Sequence, residues 1–222
     1  MVFKRFQETT KRTLGQGKPI AFLEFALRPR VCVAGSSSSV PLSAYRPLGR
    51  IEIELYDELC PMASDNFLKL CTGTETLAAH DTQTRMHEST FQDSLKPQLG
   101  YQASIVHRIV KGLCVQGGDI VRYDGTGQAS IFGETFSAPS ELGAVRMDRR
   151  GLVATACSGP HMHGSQYFFL TAAGAPHLDG SAICFGCIVR GLDVLDRMEA
   201  LAVDYALRPK HDDVVVVKSG TV

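Results

Sequence analysis

Apolar and polar residues alternate most cleanly over Arg50 to Tyr56. There Ile51, Ile53 and Leu55 fall on one face, and Glu52, Glu54 and Tyr56 on the other. A period of two predicts a half-buried strand. The run Ile20 to Leu27 is short, apolar and aromatic-rich, which predicts a second strand, and the two are expected to pair as a hairpin. The stretch from Arg28 to Pro47 between them reads as a loop, flexible at Gly35-Ser36-Ser37-Ser38-Ser39. Pro61 to Cys71 carries the helical period instead: Ala63, Phe67 and Leu70 share a face, Pro61 suits the first turn, and Thr72-Gly73 stops the helix. Gly191 to Leu201 predicts a second helix with Leu192, Leu195, Met198 and Ala202 inward, and Val214 to Val217 a closing strand. From Tyr101 onward, strand-like runs alternate with Gly-rich turns. Thr74 to Leu99 is polar and aperiodic, with apolar anchors only at Leu77, Met86, Phe91 and Leu95, and reads as a surface insertion. Many short strands, two separated helices and no repeat imply a mainly β fold: a closed antiparallel barrel capped by helices.

Composition narrows the class. A chain of 222 residues with 44% hydrophobic and 21% charged residues suits one globular domain with a single core. The expected organisation is a basic extension over residues 1–17 and a domain over 18–222, with insertions at about 30–45 and 74–99. Net charge is zero, so no global field draws the chain to nucleic acid or anionic lipid. Charge is uneven, however: residues 1–50 hold nine Lys/Arg against two Asp/Glu, which reads as a solvated tail or a contact surface. No apolar run reaches the roughly 20 residues of a membrane helix. Seven Cys, scattered and odd in number, without an export signal, point to free thiols in a reducing, cytoplasmic setting. Lys4, Arg5, Lys11 and Arg12 among Phe3, Phe6 and Leu14 leave a mitochondrial presequence open.

The most informative stretch is Val106 to Asp119, VHRIVKGLCVQGGD, in which an Arg among apolar residues precedes a Gln at a Gly-Gly-Asp turn. A buried or half-buried Arg and Gln are costly unless satisfied. Gly164-Ser165-Gln166-Tyr167-Phe168-Phe169 and Leu178-Asp179-Gly180, running on to Phe185-Gly186, follow in order. Together, over about residues 18–222, these segments resemble the cyclophilins, the β-barrel peptidyl-prolyl isomerases. The resemblance implies a closed eight-stranded antiparallel β-barrel capped by two α-helices. It also implies acceleration of rotation about X-Pro peptide bonds, without cofactor or metal, in a monomer acting on proline-containing peptides or exposed loops.

By the same resemblance Arg108 is the catalytic donor, and Gln116 braces it and contacts substrate. Leu113, Cys114, Ala156, Cys157, Gln166, Phe168, His177 and Leu178 line the substrate groove. Phe168 would floor the proline pocket and Leu178 would form a wall, although core packing explains both residues equally. Thr126, Glu134, Thr135, Ser158 and Ser165 rim a second pocket, where Glu134 would favour polar or basic substrate residues. The chain departs from the family pattern at Leu113 (usually Phe), Cys114 (Met), Cys157 (Asn), His177 (Trp) and Ala182 (His). These changes imply reduced cyclosporin affinity and leave open a catalytically weak proline-peptide binding module or scaffold. Some members carry a shorter insertion where Thr74–Leu99 stands, controlled by a cysteine pair. Cys71 lies near one of those positions, but Ser219 stands at the other, so no disulfide is expected.

Two further clusters offer other chemistry. Cys184-Phe185-Gly186-Cys187 is a CxxC, which a thiol-redox protein would use, but it lies in strand-like sequence where positions three apart face opposite sides. His161-Met162-His163 with Cys157 and His177 has metal-ligating residue types, yet reads as a surface loop.

Overall fold

The computed structural model describes residues 17–30, 40–73, 75–76 and 98–222. The N-terminal extension up to residue 16, the Ser-rich tip and the anchors Leu77, Met86, Phe91 and Leu95 lie outside the described residues. Ten strands and two helices follow in chain order. They are β1 Ile20–Pro29, β2 Arg46–Leu55, α1 Pro61–Thr72, β3 Glu75–Thr76, β4 Gln98–Leu99, β5 Ile105–Val110, β6 Cys114–Asp119, β7 Leu152–Gly159, β8 Met162–Leu170, β9 Cys184–Arg190, α2 Leu192–Glu199 and β10 Asp212–Thr221. Eight of the strands close a barrel in the order β1-β10-β5-β6-β8-β7-β9-β2, and every pairing is antiparallel.

β1 and β2 form the expected hairpin but are longer than their apolar runs. Arg28 and Pro29, and Arg46 and Pro47, belong to the strands rather than to the loop. Ion pairs hold these ends: Arg28 and Arg30 reach Asp213, and Arg46 reaches Asp212, all toward β10. β10 likewise spans ten residues, because its polar ends still pair with β1. In β1 the unbroken run has a physical cause. Ala21, Leu23 and Phe25 enter the barrel, while Phe22 lies under the Arg50 guanidinium, 4.0 Å from its ring centroid.

α1 closes one end of the barrel with Ala63, Phe67 and Leu70. The Phe67 ring meets those of Tyr101, Tyr167 and Phe185 at centroid distances of 5.2, 5.5 and 5.0 Å. Burying such a ring contributes about 1.5–3 kcal/mol. Pro61 opens the helix, the buried Glu141 carboxylate accepts the free N–H groups of Met62 and Ala63 at 2.7 and 3.1 Å, and Gly73 ends it at φ 65°. α2 is shorter than its pattern and turned differently. Val194, Leu195 and Met198 are buried, whereas Leu192 is 44% exposed and Ala202 lies beyond the helix on the surface. Gly191 precedes the helix at φ 92°, where an added Cβ would lie 2.3 Å from the Arg50 carbonyl oxygen.

The 74–99 excursion leaves and returns at one place. Glu75 pairs with Leu99 and Thr76 with Gln98, antiparallel. Leu99 is only 7% exposed and joins the barrel core, so it belongs to the domain rather than to the insertion.

Candidate active site

Strand alternation sends Val115, Val153, Phe169 and Phe185 into the barrel and their neighbours outward. Outside, register lines up one row across five strands. Arg108 pairs with Gln116, Gln116 with Phe168, Phe168 with Ala154, and Ala154 with Cys184. Residues paired directly across a ladder share a face, so a cation, an amide and an aromatic ring stand side by side. Around Phe168 a second apolar cluster gathers Cys114, Met147, Leu152, Ala154, Leu170 and Ala182, with Leu113, Ala156 and Leu178 packed against it. Of the expected groove residues, Leu113, Cys114, Ala156, Phe168 and Leu178 are therefore brought together. Met147, fully buried in the same cluster, carried no sequence signal.

Arg108 corrects one expectation: it is exposed, not buried, and among the described residues its guanidinium has no hydrogen bond or ion pair. A core carboxylate partner is thereby excluded among the described residues. The amides correct another. Gln116 Nε2 donates to Gln166 Oε1 at 2.9 Å rather than bracing Arg108. The direction of that bond is forced. Both Gln166 N–H groups are taken by the carbonyls of Gly125 (2.9 Å) and Gly127 (2.8 Å), so only its oxygen can face Gln116. The Gln116 oxygen is the end left for another donor, on the strand pair that carries Arg108.

Beyond Gln166, the turn that carries exposed Thr126 is held by these same carbonyl contacts. Phe136 bridges to His163 on one side of β8 and Cys157 pairs with it on the other, so Thr135 and Ser158 stand on opposite sides of this end of β8, with Glu134 exposed next to Thr135. Ser165 departs from its expected rim position. It is 1% exposed, and its carbonyl accepts the Tyr101 hydroxyl at 2.8 Å. Asn66 of α1 was not expected here. Its side chain donates to the Gly164 carbonyl and accepts the Ile131 N–H, both at 3.0 Å, joining the two sides of this region from beneath.

His177 is exposed in a short 3-10 turn, Pro176–Leu178. Cys157 is also exposed, and its thiol donates to the Ser181 carbonyl and lies 3.5 Å from His163 Nδ1. His163 is not part of a surface loop: it is 0% exposed, its Nδ1 meets Thr155 Oγ1 at 2.8 Å, and burial pushes its pKa down to about 4. No group of three metal-ligating side chains forms among the described residues. The CxxC also reads differently in three dimensions. The register skips Phe185 between Val153 and Ala154, and this bulge turns both Cys184 and Cys187 toward the outer cluster. Burial drives the Cys184 thiol up to about 12, which removes the thiolate that redox exchange needs. Ser219, for its part, stands beside Cys71 and donates to its carbonyl at 2.7 Å.

The sequence profile of the family described as cyclophilin type peptidyl-prolyl cis-trans isomerase/CLD matches residues 41–221. The chain belongs to the cyclophilin-type peptidyl-prolyl cis-trans isomerases. This cyclophilin is 39% identical over 164 residues to the peptidyl-prolyl cis-trans isomerase H of Mycosarcoma maydis, covering 74% of this chain and 92% of that protein. It is 36% identical over 208 residues to isomerase D of the same organism, covering 94% of this chain and 45% of that protein. It is also 36% identical over 176 residues to the NK-tumor recognition protein of Mus musculus, covering 79% of this chain and 11% of that protein. The cyclophilin thus spans nearly all of one relative and less than half of the other two. Its activity is prolyl isomerisation, and the alternative of a catalytically weak proline-peptide binding module or scaffold is not favoured.

Proposed function

We propose that this cyclophilin turns over X-Pro bonds on the outer row of its barrel, with Arg108 as the electrophilic donor. The barrier of about 18–20 kcal/mol is amide resonance, and the twisted transition state returns a lone pair to the prolyl nitrogen. A fixed guanidinium aimed at that nitrogen binds the transition state better than the ground state. The observation that carries this reading is the exposed Arg108, without a partner among the described residues, in register with Gln116 and Phe168. Leu113, Cys114 and Phe168 supply an apolar seat for the ring. Exchange spectroscopy on an X-Pro peptide tests the reading. Peptide-induced shifts should centre on Arg108, Gln116 and Phe168, and shifts confined to another face would refute it.

The finer readings belong to the same proposal. Thr126, Glu134, Thr135 and Ser158 flank a second pocket, and exposed Glu134 favours a polar or basic residue there. The substrate is a proline-containing peptide or exposed loop, and the enzyme works as a monomer in the cytoplasm. Six free thiols among the described residues suit such a reducing setting. Cyclosporin binds, but more weakly than to members with Trp at the position of His177. An indole buries a broad apolar face and donates one hydrogen bond, whereas an exposed imidazole prefers water. His177→Trp should tighten cyclosporin several-fold in a calorimetric titration. An unchanged affinity would assign the loss to Leu113, Cys114 and Ala182.

Residues 77–97 are proposed to lie outside the catalytic unit. Thr76 and Gln98 are already cross-strand partners, so a two-residue Asn-Gly turn can join them. Shortening the loop should favour the fold by on the order of 1–2 kcal/mol of closure entropy. The shortened enzyme should melt at or above the wild-type temperature with turnover intact. A folded variant that loses turnover would move the insertion into the active site.

A further inference from the structure

The Asp119 carboxylate, fully buried at the end of β6, accepts five backbone N–H groups. Oδ1 takes those of Val121 (3.0 Å) and Arg122 (2.9 Å). Oδ2 takes those of Asp124 (3.2 Å), Gly125 (2.8 Å) and Gly127 (2.9 Å). The whole 120–127 turn is wound around one side chain. Burial by itself would raise this carboxyl, but the N–H groups of Arg122, Gly127, Val121 and Gly125 outweigh it and hold the pKa below the usual range. The fit is tight: a Cβ on Gly127 would lie 2.3 Å from Asp119 Oδ1. The same turn offers the Gly125 and Gly127 carbonyls that consume both donors of Gln166.

We propose that Asp119 is a positioning residue for isomerisation. By fixing the turn it fixes the Gln166 amide, and through it the orientation of Gln116 beside Arg108. The inference rests on the reading of the Arg108 row as the active site. If the turn loosened, Gln166 could rotate and present its NH2 to the NH2 of Gln116. Two donors cannot face each other, so Gln116 would turn over and its oxygen would be spent on Gln166. Asp119 reaches no substrate, since it is wholly buried. Its influence is carried by hydrogen bonds alone.

The test compares wild type, Asp119→Asn, Gln166→Leu, the double variant and Arg108→Ala on an X-Pro peptide. Asn keeps the shape but turns one acceptor oxygen into a donor facing two or three N–H groups. Folded Asp119→Asn should lose roughly 10-fold in kcat with KM altered less than about twofold, and the double variant should be no worse than Gln166→Leu. The Gln166 side-chain amide protons should exchange at least about 10-fold faster in Asp119→Asn, while Val153 and Ile183 methyl signals stay in place. Additive losses, or an unmoved Gln166 amide signal, overturn the proposal. If Asp119→Asn does not fold, Gly127→Ala displaces the carboxylate from the other side and is held to the same outcomes. If neither folds, wild type decides: the Gly125 and Gly127 amides and the Gln166 side chain must open at a common rate, and unrelated rates overturn the coupling. A normal Asp119→Asn beside an inactive Arg108→Ala sinks the positioning role only. An active Arg108→Ala sinks the reading of the row itself.

Discussion

Arg108→Ala should leave the barrel folded and lower kcat/KM toward an X-Pro peptide by about 10²-fold or more, the effect of losing one preorganised donor worth about 2.7–4 kcal/mol. The fold should tolerate the change because Arg108 is exposed and has no partner among the described residues, so nothing buried is orphaned. Arg108→Lys should recover little, because a flexible ammonium cannot reproduce a planar fork held at one end of the row. Thermal melting and peptide turnover measured on the same preparation separate the two effects. Full turnover by folded Arg108→Ala would mean that the barrier is lowered elsewhere on the barrel.

Gly118→Ala should cost about 4 kcal/mol of stability, the combined effect of backbone strain and overpacking at about 1–3 kcal/mol each. Gly118 sits at φ 87°, and a Cβ there would lie 2.6 Å from the Ser165 carbonyl and 2.7 Å from the Tyr167 ring. Neither neighbour can yield. That carbonyl already accepts the Tyr101 hydroxyl, and the Tyr167 ring is wedged among Phe67, Tyr101 and Phe169. At roughly 2–4 °C per kcal/mol for a domain of this size, the melting midpoint should fall by about 10 °C. Gly143→Ala, at φ 72° with open space around its Cβ, is the control that isolates backbone strain. Equal shifts for the two variants would show that strain, not packing against β8, sets the cost.

Arg108, Gln116 and Phe168 were singled out by the His-Arg-Ile, Gln-Gly-Gly-Asp and Gly-Ser-Gln-aromatic-Phe motifs, which persist although Leu113 and Cys114 between the first two are changed, and the three stand on one outer row. Leu113, Cys114, Ala156 and Leu178 gather in the expected neighbourhood of Phe168, the first two despite changed side chains, since an apolar cluster tolerates substitution that keeps it apolar. Asp119, Asn66 and Met147 were not. A Gly-Gly-Asp followed by Gly125 and Gly127 announces a turn, but not that one carboxylate binds five N–H groups within it.

The linear pattern by itself determined the strands of the first hairpin, helix α1, the barrel class and the chemical types available to the outer face. These depend on period and residue type, which are local properties of the chain. Tertiary structure alone decided which of those residues meet. It paired Arg108, Gln116, Phe168, Ala154 and Cys184 across five strands, buried Ser165 and His163, and turned Val194 rather than Leu192 into the core. It also brought both thiols of the CxxC to one face. The physical reason is register. A strand residue's neighbours lie across ladders, far away in sequence, and a single bulge such as that at Phe185 reverses which side every later residue faces.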